Sequence, residues 1–262
     1  MKSLKWALIL AIFLAGCCNV TVFKYPTGNR LDRIEHLQQS TVAFVRLDGE
    51  NLRTICAGVW VDEIHIVTAK HCLIAAVEED YTTQVIQTLP IIEVKTDDPE
   101  LQQVIDTLIE KHVKEFKESE YKKSVGTIMP FKLYGEEPNG LEGVHFGRIT
   151  KIGAEDVDLA VVTLVMDKLH GHVDIRREPM KAGEEIDITG HPDGEEWSYS
   201  HGFVSKNFSS KVIIQSPIYY GDSGGGAFDQ EGYLVGICSE FSSNIPNKSY
   251  YLNSKAILDL LE

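Results

Sequence analysis

The chain has 262 residues, 43% of them hydrophobic, enough for one large domain or two small barrels with cores of their own. Its 39 acidic residues outnumber 25 basic ones, giving a net charge of −14. Phosphate backbones require a basic face, so this balance argues against a nucleic-acid partner.

The first segment, "MKSLKWALILAIFLAGCC", reads as an address. Lys2 and Lys5 precede an apolar run from Trp6 to Ala15, and small residues follow, the layout of a secretory signal. The run is short for a transmembrane helix. "LAGC", Leu14 to Cys17, resembles the bacterial lipobox, in which cleavage precedes the cysteine and its thiol carries a diacylglycerol. That resemblance implies a membrane partner through lipidated Cys17, the alternative being an ordinary signal peptide with incidental cysteines. Export places the remaining cysteines in an oxidising compartment. The polar stretch after the signal, with Pro26 and Gly28, reads as a tether.

Short strand-like runs follow: 41–47, 54–61 and 64–69, rich in Val, Ile and Thr and bounded by turn residues. Cys56 and Cys72 flank the second and third, which a hairpin would fold back on each other. The pattern then changes. Asp98 is a good N-cap, Pro99 suits the first helical turn, and Leu101, Val104, Ile105, Leu108, Ile109, Val113 and Phe116 form one stripe. This predicts an amphipathic helix over 99–119. Strands resume at 143–150 and 159–164, then at 184–190, 200–206, 211–216 and 232–238. The polar stretch 167–184 reads as a joint between two halves. Many short strands at steady spacing point to an all-β sandwich or barrels. Cys238, in the last run, reads as a small buried hydrophobe.

"GDSGGG", residues 221–226, would serve poorly as strand or helix. It suits a serine nucleophile, whose oxygen must be exposed and whose neighbouring N–H groups must face a developing oxyanion. The loop resembles the nucleophile loop of trypsin-like serine proteases. "VTAKHC" resembles the same family's histidine motif, with Lys70 where a small residue is usual, and "DLAVV" resembles its aspartate motif. The order His71, Asp158, Ser223 is that of the trypsin-like clan. Asp156, two residues earlier, competes with Asp158, and the "DLA" match favours Asp158. "ITGHPDGEEWSYSHGFVSK" resembles the bacterial Htr-like branch, although no length remains for a PDZ domain and Asp222 stands where that branch usually has Asn.

The resemblance implies two antiparallel six-stranded β-barrels of the chymotrypsin-like kind, with an inserted helix and a C-terminal helix. The implied organisation is a signal at 1–17, a tether at 18–39, a first barrel at 40–166 with an insertion near 76–140, and a second barrel at 167–262. The implied activity is that of a serine endopeptidase acting on protein or peptide substrates. His71, Asp158 and Ser223 would be catalytic, with the Gly221 and Ser223 N–H groups as oxyanion hole and a Cys56–Cys72 disulfide bracketing the histidine. No metal or cofactor is implied. A catalytically idle partner-binding lipoprotein and an esterase are the competing readings. Pro217 stands where trypsins carry the aspartate that selects Lys or Arg, so a neutral or apolar substrate side chain is expected.

Overall fold

The computed structural model describes residues 29–48, 51–75, 103, 124–136, 143–164, 171–242 and 244–262. Six strands form the first barrel: β1 (Thr41–Asp48), β2 (Asn51–Trp60), β3 (His65–Thr68), β4 (Ile128–Leu133), β5 (His145–Ile152) and β6 (Ala160–Leu164). Six form the second: β7 (Glu185–Gly190), β8 (Ser198–Asn207), β9 (Lys211–Gln215), β10 (Gly226–Phe228), β11 (Leu234–Phe241) and β12 (Lys248–Asn253). Both sheets are closed and antiparallel with the same order, first-second-third-sixth-fifth-fourth. Closure leaves no free sheet edge. Helices α1 (Arg30–Gln39), α2 (Cys72–Ala75) and α3 (Ser254–Leu261) complete the described elements, with one 3₁₀ turn at Pro192–Gly194.

Three strands differ from the expectation. β4 contains Pro130, which argues against a strand by removing a ladder donor. It nevertheless pairs with both β1 and β5, so the first barrel resumes at Ile128, inside the stretch assigned to the insertion. β10 has only three residues behind the glycine loop, and β12, "KSYYLN", is too polar to stand out. The helix expected over 99–119 lies, apart from Gln103, outside the described residues, as do the signal and Cys17.

Residues 30–39 are not tether. They form α1, capped by Asn29, whose side-chain oxygen accepts from the Leu31 and Asp32 N–H groups. Leu37 is fully buried, and Arg33 donates through Nε to Asp187 on β7 at 3.0 Å. From Gly171 onward the joint is packed as well. Val173 is fully buried and donates its N–H to Trp60, while Asp174 accepts from Leu234.

Each barrel has its own core. In the first, the Phe131 ring meets Phe44 and Trp60 edge-on. In the second, Ile186, Val204, Ile214 and Tyr251 pack together. A third cluster fills the seam, where Val59, Val67 and Leu159 of the first barrel meet Phe228, Leu234 and Ile237 of the second. Leu37 of α1 and Ile257 of α3 are seated in it. The seam explains why β2 loses its alternation after Ile55: Cys56 and Trp60 face the first core, and Val59 faces the other barrel.

Candidate active site

β3 ends at Thr68, and the chain turns through Ala69 and Lys70 into α2, which leaves His71 half-buried at the seam. Cys56 on β2 and Cys72 have their sulfurs at bonding distance, 2.11 Å, with Cα atoms 6.0 Å apart. That link fastens the residue after His71 to the barrel wall. Among the described residues, Cys56, His71 and Cys72 are the one cluster tight enough for a metal ion. Both sulfurs are already engaged with each other, which removes them as ligands.

The β5–β6 turn brings Asp158 to this histidine. Asp158 Oδ2 lies 2.8 Å from His71 Nδ1, and its Oδ1 accepts the His71 backbone N–H at 2.9 Å. Ser239, from β11 of the second barrel, donates its hydroxyl to the same Oδ2 at 2.6 Å. Burial disfavours the Asp158 carboxylate, but the His71 ring, the Ser239 hydroxyl and the His71 N–H together outweigh it and hold the group below the usual carboxylate range. Asp156 is exposed, and it sits in the turn rather than on a strand face shared with Asp158. Lys70 is only 3% exposed, and its ammonium donates to the carbonyls of Ala154 and Glu155 at 2.9 and 3.4 Å. The unusual residue beside the histidine thus braces the turn that carries Asp158.

The glycine loop comes from the opposite barrel. Ala57 donates its N–H to the Ser223 carbonyl at 2.8 Å, and Cys72 Sγ lies 3.6 Å from the same oxygen. Ser223 is therefore fastened to β2 and lies beside the neighbour of His71, with its own side chain half-buried. Gly224 takes a φ of +82°, and a Cβ there would stand 2.0 Å from the Ala57 carbonyl oxygen, so only glycine allows this approach of the two barrels. Gly221 has a φ of +97°, and a Cβ would stand 2.1 Å from the His191 carbonyl oxygen. The N–H groups of Asp222, Gly224 and Gly225 donate to Tyr219, Cys238 and Asp222. Among the described residues, those of Gly221 and Ser223 meet no protein acceptor.

Asp222 itself is 6% exposed. Its carboxylate accepts the Tyr219 N–H at 2.8 Å and lies close enough to the His191 N–H to feel it. Burial raises its pKa, the two N–H groups oppose this, and nearby Asp193 adds to it, for a value of about 6. His191 follows β7 and is fully buried. Burial lowers its pKa to about 4 against the weaker pull of the Val42 carbonyl. Cys238 is buried behind the loop, and burial and Asp222 push its thiol well above the ordinary value, which makes it inert.

A cavity of about 370 Å³ opens beside the loop, lined by Pro217, Ile218, Tyr219, Tyr220, Phe241 and Lys248 among others. Tyr220, 78% exposed, meets Phe241 edge-on at 5.6 Å. Glu240 reaches the other way and pairs with Lys211 at 3.5 Å.

Residues 56–237 match the family model for the trypsin-like peptidase domain, and the match contains the histidine, aspartate and serine loops together. The chain belongs to the trypsin-like peptidase family. Solved structures of similar fold include the serine endoprotease from Yersinia pestis, with 13% identity and a TM-score of 0.58, covering 90% of this chain and 66% of that one. The HtrA-type protease AlgW, solved with a tripeptide, has 13% identity and a TM-score of 0.57, covering 89% and 62%. Rv3671c from M. tuberculosis, in an inactive form, has 11% identity and a TM-score of 0.55, covering 87% and 88%. The chain thus spans slightly less than two thirds of the Yersinia protein and of AlgW. No curated protein sequence matches it. Two residues of this candidate site are hard to see in the sequence. Ser239 is signalled only as the first polar residue after the apolar run 234–238, and His191 only as a histidine inside "GHPDG".

Proposed function

We propose that the chain is a serine endopeptidase that cleaves peptide bonds through an acyl-enzyme on Ser223. The observation that supports this is the His71–Asp158 pair, oriented by Ser239, together with a serine loop bonded across the seam to β2 and lying beside Cys72, the residue after His71. In the step proposed, the Ser223 oxygen attacks the substrate carbonyl carbon while His71 Nε2 takes the hydroxyl proton. Asp158 holds the Nδ1–H and stabilises the imidazolium that forms. The carbonyl oxygen becomes an oxyanion and takes hydrogen bonds from the Gly221 and Ser223 N–H groups. Collapse breaks the C–N bond, His71 delivers its proton to the leaving amine, and water repeats the sequence on the ester.

The substrates proposed are proteins or peptides with a large uncharged side chain on the acyl side of the cut bond. The walls of the cavity beside the loop are apolar and aromatic, no carboxylate is among the lining residues, and its charged member is a lysine. We place the enzyme in the cell envelope, on a lipid anchor at Cys17. This rests on the two N-terminal lysines, the apolar run and "LAGC", which lie outside the described residues.

Digestion of a peptide library by wild type and by Ser223→Ala tests activity and preference together. The proposal expects cuts after large uncharged residues by wild type alone. Equal cutting by both proteins overturns the mechanism, and no cutting by either overturns the assignment as an active protease.

A further inference from the structure

The Gly221–Ser223 loop needs a fixed backbone, because its two free N–H groups act only if they aim at one point. Its buried carboxylate, Asp222, accepts the Tyr219 N–H at 2.8 Å. The His191 carbonyl packs against Gly221 so closely that a Cβ there would be 2.1 Å away. Asp193 also donates its N–H to Tyr220 at 2.6 Å. The loop is therefore zipped along the stretch 191–193, and the position of His191 sets the position of the oxyanion donors.

His191 is fixed in turn by its ring. Nε2 lies 3.1 Å from the Val42 carbonyl on β1, and Nδ1 is 3.0 Å from the Trp197 N–H. A carbonyl can only accept and an N–H can only donate, so the ring is neutral with its proton on Nε2. Trp197 has a φ of +62°, a conformation that bulky residues keep only where their surroundings hold it. Three contacts hold it besides His191 Nδ1. Its indole meets the His191 ring edge-on at 4.7 Å and Tyr134 of the first barrel at 5.7 Å. Its carbonyl accepts the side-chain amide of Gln38, from α1, at 2.5 Å.

Helix α1 is itself anchored firmly. Leu37 is buried in the seam, and Arg33 bonds to the fully buried Asp187 and to Gln230. A continuous set of contacts therefore runs from α1 through Gln38, Trp197 and His191 to Asp222 and Gly221.

We propose that α1 is a built-in activating element of this protease, with Gln38 and His191 as positioning residues that hold the oxyanion loop in its working shape. The proposal rests on the assignment of Ser223 as nucleophile. α1 follows directly on the segment read as a tether, so displacement of the helix from Trp197 would loosen the loop while leaving the His71–Asp158 pair intact. That pair is held by Ser239 on β11 and by the Cys56–Cys72 link between β2 and α2.

The test uses the full chain and four variants: Gln38→Ala, Gln38→Glu, His191→Asn and His191→Gln. Asn keeps an acceptor where Nδ1 stands and loses the Val42 bond. Gln keeps a donor toward Val42 and loses the acceptor for Trp197. Readouts are kcat and KM on a peptide substrate, the rate of Ser223 labelling by a fluorophosphonate, and thermal melting. A misplaced oxyanion donor is expected to lower kcat and labelling roughly 10- to 100-fold with KM within about twofold. This pattern is expected for both Gln38 variants and for His191→Gln, with His191→Asn staying within a fewfold of wild type. Gln38 is a half-buried surface residue, so its variants decide the matter if those of His191 do not fold. Wild-type kcat in Gln38→Ala overturns the proposal, whatever its melting temperature. So does an equal loss in His191→Asn and His191→Gln. Failure of the wild type to label at all sinks the nucleophile assignment and the proposal with it, and is distinguished by that control.

Discussion

Acid should weaken the fold through one identifiable ring. His191 is fully buried and neutral, with its pKa lowered from 6.5 to about 4 by burial. Above 6.5 neither the folded nor the unfolded chain protonates it. As the pH falls from 6.5 to about 4, the unfolded chain takes up a proton that the folded protein refuses, so stability is lost across that window. The gap between the two values corresponds to about 3 kcal/mol. Asp222, raised by burial to about 6, titrates in the same window. His191→Asn removes the ring and leaves Asp222 in place, so the contribution of that carboxyl cancels between the two proteins. Urea unfolding at pH 7, 6, 5 and 4 is the assay. At pH 7 wild type should be the more stable, through the Val42 bond and the better-filled site. That advantage should shrink by about 3 kcal/mol by pH 4. Parallel curves, or an advantage that grows with acid, would refute the argument that a neutral buried ring braces the seam.

Ser239→Ala removes one of the hydroxyl and N–H groups that orient Asp158, at a net value of about 1 kcal/mol. It should lower kcat several-fold and move the acid limb of the activity profile upward, and an unchanged profile would deny Ser239 its role. Replacing Cys56 and Cys72 together by Ala opens a link between residues 16 apart, worth about 3 kcal/mol by chain entropy. The melting temperature should fall by roughly 6–12 °C, and an unaltered melt would speak against the link. Cys17→Ser should release the protein from the membrane fraction or leave its signal uncut. Fractionation and migration like wild type would remove the anchor while leaving the protease untouched.

Much of the site is legible in the sequence because its chemistry is local. The loop proposed to carry the nucleophile needs glycines at Gly221 and Gly224, where a side chain would strike the backbone of His191 or Ala57, and glycines are visible in any sequence. His71 and Asp158, which the structure brings together, each sit in a short motif whose neighbours single them out. Ser239 and His191 do not, because their roles depend on the meeting of two barrels. Ser239 reaches Asp158 across 81 residues and His191 reaches Val42 across 149. The strands with clear β-branched runs are equally legible. β4 is obscured by Pro130, β10 by its three-residue length and β12 by polar side chains. α1 resembles a tether in sequence because its burial is confined to Leu37, with Arg33 and Gln38 making polar contacts that no periodicity reveals.

The central claim is that Ser223 is the nucleophile, activated by His71 and Asp158. Its most direct test is to treat the purified protein with a fluorophosphonate and map the adduct by mass spectrometry. One phosphonyl group should form on Ser223, labelling should be abolished in Ser223→Ala, and it should be slowed by at least ~10³-fold in His71→Ala, with circular dichroism unchanged in both. An adduct on another residue, or peptide hydrolysis that survives in Ser223→Ala, would contradict the account.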